Sequence, residues 1–200
     1  MNDNFIAGIK NDSYQYETRK AVLETLDKIG CKFRHCVDGG AHVGTWSVDL
    51  VKRFQWVHAF EPITEVANCF KKNILEKNYT LYNLALSSKK EKLKFKYDSN
   101  QSGASQPSIL GNVTCLACPL DELKLQDIDY IKLDCQGMEE QILNGAKELI
   151  VSQKPILHLE MKNSSLKEFK TDKKTLTNKI IKLGYQQVRK IVNEVIFKPI

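Results

Sequence analysis

Apolar positions along the chain change period repeatedly, and the changes mark out a regular succession of elements. Val22, Leu26 and Ile29 recur at helical spacing and predict a helix over residues 13–29. A strand ending at Asp38 follows, then a short amphipathic helix over 46–53 and a second strand over 56–60. The alternation continues with helix 64–77 and strand 80–86. After an interruption it resumes with strand 130–135, helix 138–150, strand 155–161 and helix 165–183. Runs 186–191 and 194–198, separated by Val192-Asn193, predict a closing β-hairpin. Strands alternating with helices imply an α/β fold, a mostly parallel sheet with helices on both faces, to which the hairpin adds antiparallel pairing.

The interruption has a character of its own. Lys92, Lys94 and Lys96 alternate with Leu93 and Phe95, which predicts a strand with one wet face, and 98–108 is rich in Ser, Asn, Gln and Gly. That polar loop suits a hydroxylated ligand, and Ser102 and Ser105 are its candidate substrate contacts. The 200 residues match about one domain, with a helical lead-in over 1–32, a core over 33–161 and a C-terminal helix and hairpin over 162–200. Hydrophobic residues at 42% and charged residues at 27% exclude a disordered or fibrous chain, and no internal repeat is present.

The formal charge of +6 raises nucleic acid as a partner, but the lysines alternate with apolar or acidic residues and read as solvated faces. No apolar run reaches the ~18 residues of a membrane span, and the polar start Met1-Asn2-Asp3-Asn4 is unlike a signal peptide, so the expected compartment is the cytoplasm. Six scattered cysteines suit reduced thiols. Cys115-Leu116-Ala117-Cys118 lacks the second pair or histidine of a zinc site and reads as strand. Nothing in the sequence bears on oligomeric state.

In open parallel sheets, ligands bind outside the carboxyl ends of the strands. The first strand is followed by Asp38-Gly39-Gly40-Ala41-His42-Val43-Gly44, whose glycines permit close approach of backbone to a ligand. The second ends in Phe60-Glu61-Pro62, placing an acid about 20 positions further on, where ribose hydroxyls are held. Together these specify an adenosine-containing ligand. A dinucleotide turn would have glycine where Ala41 stands, and Asp38 would repel a pyrophosphate. The sulfonium and ammonium of S-adenosylmethionine make the same carboxylate favourable. No G-x-x-x-x-G-K-[ST] occurs, so a P-loop is excluded.

The succession of motifs resembles the FkbM-type methyltransferases. Asp38, Gly40, Ala41 and Gly44 match Asp-x-Gly-Ala-x-x-Gly, and Phe60-Glu61-Pro62 matches Phe-Glu-Pro. Asn83, Ala85, Leu86 and Ser87 match Asn-x-Ala-Leu-Ser, Leu120-Asp121-Glu122-Leu123 matches Leu-Asp-x-Leu, and the run from Ile131 to Glu139 echoes Ile-Lys-Ile-Asp-Val-Glu-Gly-x-Glu. The resemblance implies a Rossmann-like class I methyltransferase fold with a seven-stranded sheet, and S-adenosylmethionine as cofactor with S-adenosylhomocysteine as product. It implies cofactor contacts from Asp38, Gly40, Gly44 and Glu61, with Ala85 and Leu86 near adenine; their neighbours Gly39, Ala41, His42 and Pro62, and Asp134 at the end of its strand, are further candidate cofactor contacts. The acceptor class it points to is a hydroxyl on a sugar, glycan or small metabolite. Gln136 stands where the family has Glu; it can hydrogen-bond a substrate but cannot take its proton.

Period-two alternation puts Lys132 and Asp134 on one face of their strand, and His158 and Glu160 on one face of theirs. Central parallel strands are normally continuous apolar runs, so these four ionisable groups need partners or a purpose. The catalytic reading sets Asp134 beside the transferred methyl, with Lys132, His158 or Glu160 accepting a hydroxyl proton. The structural reading pairs Lys132 with a carboxylate and buries His158 in hydrogen bonds. Two adjacent acids also raise Mg²⁺, but the sequence identifies no third ligand. Two further readings remain: a non-catalytic cofactor-binding scaffold, and a nucleic-acid methyltransferase. The latter is opposed by the absence of an Asn/Asp-Pro-Pro-Tyr/Phe signature and of an aromatic-rich basic stretch.

Overall fold

The computed structural model describes residues 15–98 and 105–200. Helix α1 (Tyr16–Lys28) leads into β1 (His35–Gly39), α2 (Ser47–Arg53), β2 (Trp56–Phe60), α3 (Thr64–Asn73) and β3 (Tyr79–Tyr82). Short strands β4 (Ala85–Leu86), β5 (Glu91–Lys96), β6 (Gln106–Pro107) and β7 (Val113–Cys118) follow. Then come β8 (Ile128–Leu133), α4 (Glu139–Asn144), α5 (Lys147–Gln153), β9 (Ile156–Glu160), α6 (Asn163–Glu168), α7 (Lys173–Lys182), β10 (Tyr185–Ile191) and β11 (Glu194–Pro199).

The main sheet has seven strands in the order β10-β11-β9-β8-β1-β2-β3. Strand order reverses on either side of β1, and the crossover connections make β3, β2, β1, β8 and β9 parallel, with β11 antiparallel to both β9 and β10. Alternation along each strand divides the core between two faces. Cys36, Val57, Ala59, Tyr130 and Ile156 pack beneath α1, α2 and α3, through Val22, Leu26, Leu50 and Phe70. Val37, Phe60, Ile131, Leu133 and Leu157 pack beneath α4 to α7, through Ile142, Leu149, Leu166 and Leu176. These side chains are almost fully buried, and each such aliphatic or aromatic group contributes about 1.5–3 kcal/mol. Among the described residues no helix is long and apolar enough to cross a membrane.

Several expected elements divide. The run read as one strand over 80–86 breaks after Tyr82, because the Asn83 amide turns back to donate to Glu61 O and Pro62 O at 2.9 and 3.0 Å. Its second half, β4, joins a separate four-stranded sheet, β4-β7-β5-β6, that closes one side of the cleft. The helix expected over 138–150 splits at Gly145, and that over 165–183 splits before Asp172, whose carboxylate caps α7 by accepting Thr175 N–H at 2.8 Å. The helix read to residue 77 ends at Asn73. Cys115 and Cys118 lie buried in β7 as free thiols.

Candidate active site

The cleft opens at the carboxyl ends of β1, β2 and β8, where the reversal of strand order splays the outgoing chains. Gly40 N–H and Ala41 N–H both donate to Phe60 O, at 3.1 and 2.9 Å, tying the turn after β1 to the end of β2. Gly40 has φ +73°, and a Cβ there would lie 2.0 Å from Asp134 O, so only glycine lets this turn cross the end of β8. Gly44, at φ +97°, packs where a Cβ would stand 2.9 Å from Ile74.

Glu61 lines the cleft while fastening both of its neighbouring loops. Its Oε2 accepts His42 N–H at 3.0 Å and its Oε1 accepts Ile63 N–H at 2.8 Å. Burial pushes the carboxyl up to about 7, against those two backbone donors and the Lys132 ammonium. Each oxygen keeps a second lone pair for a ligand hydroxyl.

Beneath the turn lies a buried ion pair. Lys132 Nζ donates to Asp38 Oδ1 at 2.9 Å and to Gly40 O at 3.2 Å, and Ser47 Oγ donates to Asp38 Oδ2 at 2.7 Å. Burial opposes the ammonium, but Asp38 and then Asp134 hold Lys132 above its ordinary range, so it stays protonated and cannot act as a base. Lys132 borders the cleft; the Asp38 carboxylate does not and is balanced where it lies. The Asp38 carboxylate is thus paired with Lys132 and Ser47 beneath the turn.

Lys132 and His158 are register partners on β8 and β9, under the Trp46 ring. His158 does not reach the cleft. It is fully buried, with Nδ1 2.6 Å from Tyr130 Oη and Nε2 2.9 Å from a Glu194 oxygen, a close contact that is not aligned as a hydrogen bond. This is the structural arrangement foreseen as the alternative for both residues.

Asp134, one step beyond β8, and Glu160, the last residue of β9, form the chemical layer. Asp134 lines the cleft, its N–H donates to Gly39 O at 3.1 Å, and its carboxyl is hydrogen-bonded to that of Glu160. Burial alone would raise Asp134, yet the Lys132 ammonium and the Glu160 hydrogen bond hold it below the usual carboxylate range. Glu160 is pushed up to about 8, first by burial and then by the Asp134 charge, although Lys162 Nζ approaches its Oε1 at 2.7 Å. The pair thus keeps one proton at neutral pH, since two carboxylates in contact resist double ionisation. Gln136 Nε2 donates to Asp134 Oδ1 at 3.2 Å, so the amide that replaces the family's Glu braces this carboxylate without adding a third charge.

The Gln136-Gly137 corner has φ of +53° and +100° and is closed by Glu139, whose Oε1 accepts Cys135 N–H at 2.9 Å. A Cβ on Gly137 would stand 2.4 Å from Ser165 O, so α6 presses against the same corner. Of the other expected residues, His42, Pro62, Ala85, Leu86 and Ser105 line the cleft, whereas Gly39, Ala41 and Gly44 do not. Ser102 lies outside the described residues. Thr45, Trp46, Ile63, Phe95 and Met138 also line the cleft and belong to no motif that marks them in the sequence. Lys162 was likewise invisible, one lysine among many. Among the described residues no group of three or more His, Cys, Asp or Glu side chains is arranged to hold a metal ion.

The cleft is open to solvent and lined by both apolar and polar side chains, as small-molecule sites are. Apolar walls at Phe60, Ile63 and Leu86 stand beside the Glu61 carboxylate, a combination suited to a flat heterocycle bearing a hydroxylated ring. The fold agrees with solved structures. An FkbM methyltransferase from Methylobacillus flagellatus KT superposes with TM-score 0.59 at 18% identity over 82% of this chain and 43% of that one, so this chain spans under half of that protein. Precorrin 8W decarboxylase from Methanobacterium thermoautotrophicum gives TM-score 0.56 at 16% identity, covering 92% of this chain and 90% of that one. Magnesium protoporphyrin IX methyltransferase from Synechocystis PCC 6803, solved with bound SAM, gives 0.53 at 13% identity over 90% and 76%. No curated protein matches the chain at the sequence level. Residues 38–187 match the methyltransferase FkbM domain, a span that begins at Asp38 and takes in Glu61, Asp134 and Glu160. The chain belongs to the FkbM family of S-adenosylmethionine-dependent methyltransferases.

Proposed function

We propose that this protein methylates a hydroxyl group, on a sugar, glycan or comparable polyhydroxylated metabolite, with the Asp134–Glu160 pair as the general base. The observation that carries the reading is a proton-sharing carboxyl pair whose Asp134 member lines the cleft. An alcohol is a poor nucleophile and gains from a base, commonly ~10²–10⁴-fold, whereas an amine or thiolate needs less help.

In this reading Glu61 accepts hydrogen bonds from ribose hydroxyls, the bare backbone at Gly40 lets the ligand lie close, and Ala85, Leu86 and Phe60 pack on adenine. S-adenosylmethionine supplies an electrophilic methyl group. Asp134, oriented by Gln136 and by its own backbone bond to Gly39, holds the acceptor hydroxyl in line. With the methyl–sulfur bond breaking as the C–O bond forms and S-adenosylhomocysteine leaving, the hydroxyl proton would pass to the carboxyl pair and from there to solvent, while the Lys162 ammonium stays paired with Glu160. The competent state of the pair is the doubly ionised one, so turnover rises with pH through about 8 and then levels.

Titration calorimetry with S-adenosylmethionine, S-adenosylhomocysteine and NAD tests the donor: binding of NAD alone refutes it. For the base, Asp134→Asn retains S-adenosylhomocysteine affinity while S-adenosylhomocysteine production from a pool of glycans and small alcohols falls by about 10²-fold or more. Unchanged turnover removes Asp134 from the chemistry, and product from no hydroxylated acceptor favours the scaffold reading.

A further inference from the structure

The second sheet carries a surface that methyl transfer does not use. Lys92, Lys94 and Lys96 are exposed on β5, alternating with Leu93 and with Phe95, which packs inward. None of the three has an acidic partner among the described residues, whereas nearby Lys89 and Lys90 pair with Glu91 and Glu122. The register sets Thr114 beside Lys94 and Leu116 beside Lys92, and Leu116 is 56% exposed.

At the edge of this face stands a tight turn. Gly111 N–H donates to Ser108 O at 2.9 Å, and Ser108 N–H is anchored to Lys94 O at 2.8 Å. Its central residues, Ile109 and Leu110, are 93% and 91% exposed. Central turn positions are the domain of Gly, Pro, Asn, Asp and Ser, so two adjacent branched aliphatics gain nothing for the turn itself. Ile109 borders the same shallow groove as Lys92, Lys94 and Phe169, which makes the apolar tip and the cations one continuous surface. Glu168 borders that groove from α6, across from β5, and leaves the lysine row with net positive charge.

We propose that this face docks on an anionic lipid bilayer, with Ile109 and Leu110 entering the interfacial layer and Lys92, Lys94 and Lys96 meeting the headgroups. A protruding apolar tip rimmed by cations complements a deformable apolar layer beneath a negatively charged surface. A folded partner would instead have to supply a socket for two adjacent convex side chains. Phe95 reaches the cleft from the opposite face of β5, so docking leaves the cleft open.

The test is cosedimentation with phosphatidylcholine vesicles, with and without phosphatidylglycerol. The expected result is salt-sensitive binding to the anionic vesicles alone. It weakens about tenfold or more in Ile109→Ser/Leu110→Ser, and comparably in Lys92→Gln/Lys94→Gln/Lys96→Gln. Both variants keep the wild-type melting temperature and S-adenosylhomocysteine affinity, since all five side chains are exposed. Failure to bind anionic vesicles, equal binding to neutral ones, or unaltered binding by the Ile109/Leu110 variant overturns the proposal. So does a wild-type dimer by sedimentation velocity that the same variant dissociates, because the tip would then serve a second copy.

Discussion

Replacing Lys132 by Met separates the two roles that the sequence allows this residue. Lys132 and Asp38 are buried together, with side-chain exposures of 2% and 0%, and the ammonium also donates to Gly40 O. Removing the cation leaves the Asp38 carboxylate in the core with Ser47 Oγ as its remaining hydrogen-bond donor. Breaking such a pair costs about 3–5 kcal/mol, because the surviving charge has lost its compensation. That is a large part of the ~5–15 kcal/mol that holds a typical domain folded. At ~2–4 °C per kcal/mol for a chain of this size, the melting temperature falls by roughly 6–20 °C.

The companion variant Lys132→Met/Asp38→Asn removes both charges and recovers most of that loss, because deleting a whole buried pair is far cheaper than deleting half of it. Urea titration followed by circular dichroism measures both, and calorimetry with S-adenosylhomocysteine asks whether the recovered fold still presents the Gly40 turn. A Lys132→Met protein within about 1 kcal/mol of wild type refutes the reasoning, since a buried pair cannot be broken so cheaply. The same holds if the double variant is less stable than the single one.

Two further outcomes follow from the cleft. Glu61 sits at about 7 in the ligand-free protein. On the proposed contact with ribose hydroxyls, the ionised form of Glu61 is the stronger acceptor, so binding lowers that value: S-adenosylhomocysteine affinity rises with pH through about 7 and then levels, with proton release visible as a buffer-dependent calorimetric enthalpy. Glu61→Gln flattens the profile; a profile unchanged in the variant assigns the proton elsewhere. Gly40→Ala puts a methyl group 2.0 Å from Asp134 O at φ +73°, so the turn and the end of β8 must part. Strain of about 1–3 kcal/mol and at least a tenfold loss of donor affinity are expected, read by thermal melting and calorimetry. Wild-type values for both would mean that the turn is not fixed against β8.

The main sheet was legible because its strands carry strong local signals. Trp56–Phe60 came out residue for residue, and the closing hairpin is only slightly longer than its pattern suggested. The second sheet was not, because alternation says that a segment is extended without saying which neighbour it joins. Thr80 to Leu86 reads as one strand until Asn83 is seen capping the carbonyls of Glu61 and Pro62, a contact across 21 and 22 positions. The helix break at Gly145 has a similar cause: Asp121 accepts the N–H groups of Glu148 and Leu149, both at 3.0 Å, and starts α5 from another part of the chain. By contrast, the break before α7 was readable, since Asp172 is a local N-cap three residues before the N–H it binds.

The same distinction between local and distant partners decides what the four ionisable residues of β8 and β9 do. Alternation correctly set Lys132 with Asp134 and His158 with Glu160, but it carried no information about depth. The first of each couple lies under Trp46, where it meets Asp38 or Tyr130; the second stands at the carboxyl end of its strand, Asp134 just past β8 and Glu160 as the last residue of β9. A lysine next to a carboxylate in a cleft invites a catalytic reading, yet here that carboxylate lowers no barrier to deprotonation: it holds the ammonium charged. What Lys132 contributes to the cleft is position, through Gly40 O, and field, through its pull on Asp134. Its charge keeps Asp134 ionised so that the shared proton resides on Glu160. The carboxylate that faces the cleft is therefore the one free to accept a hydrogen bond.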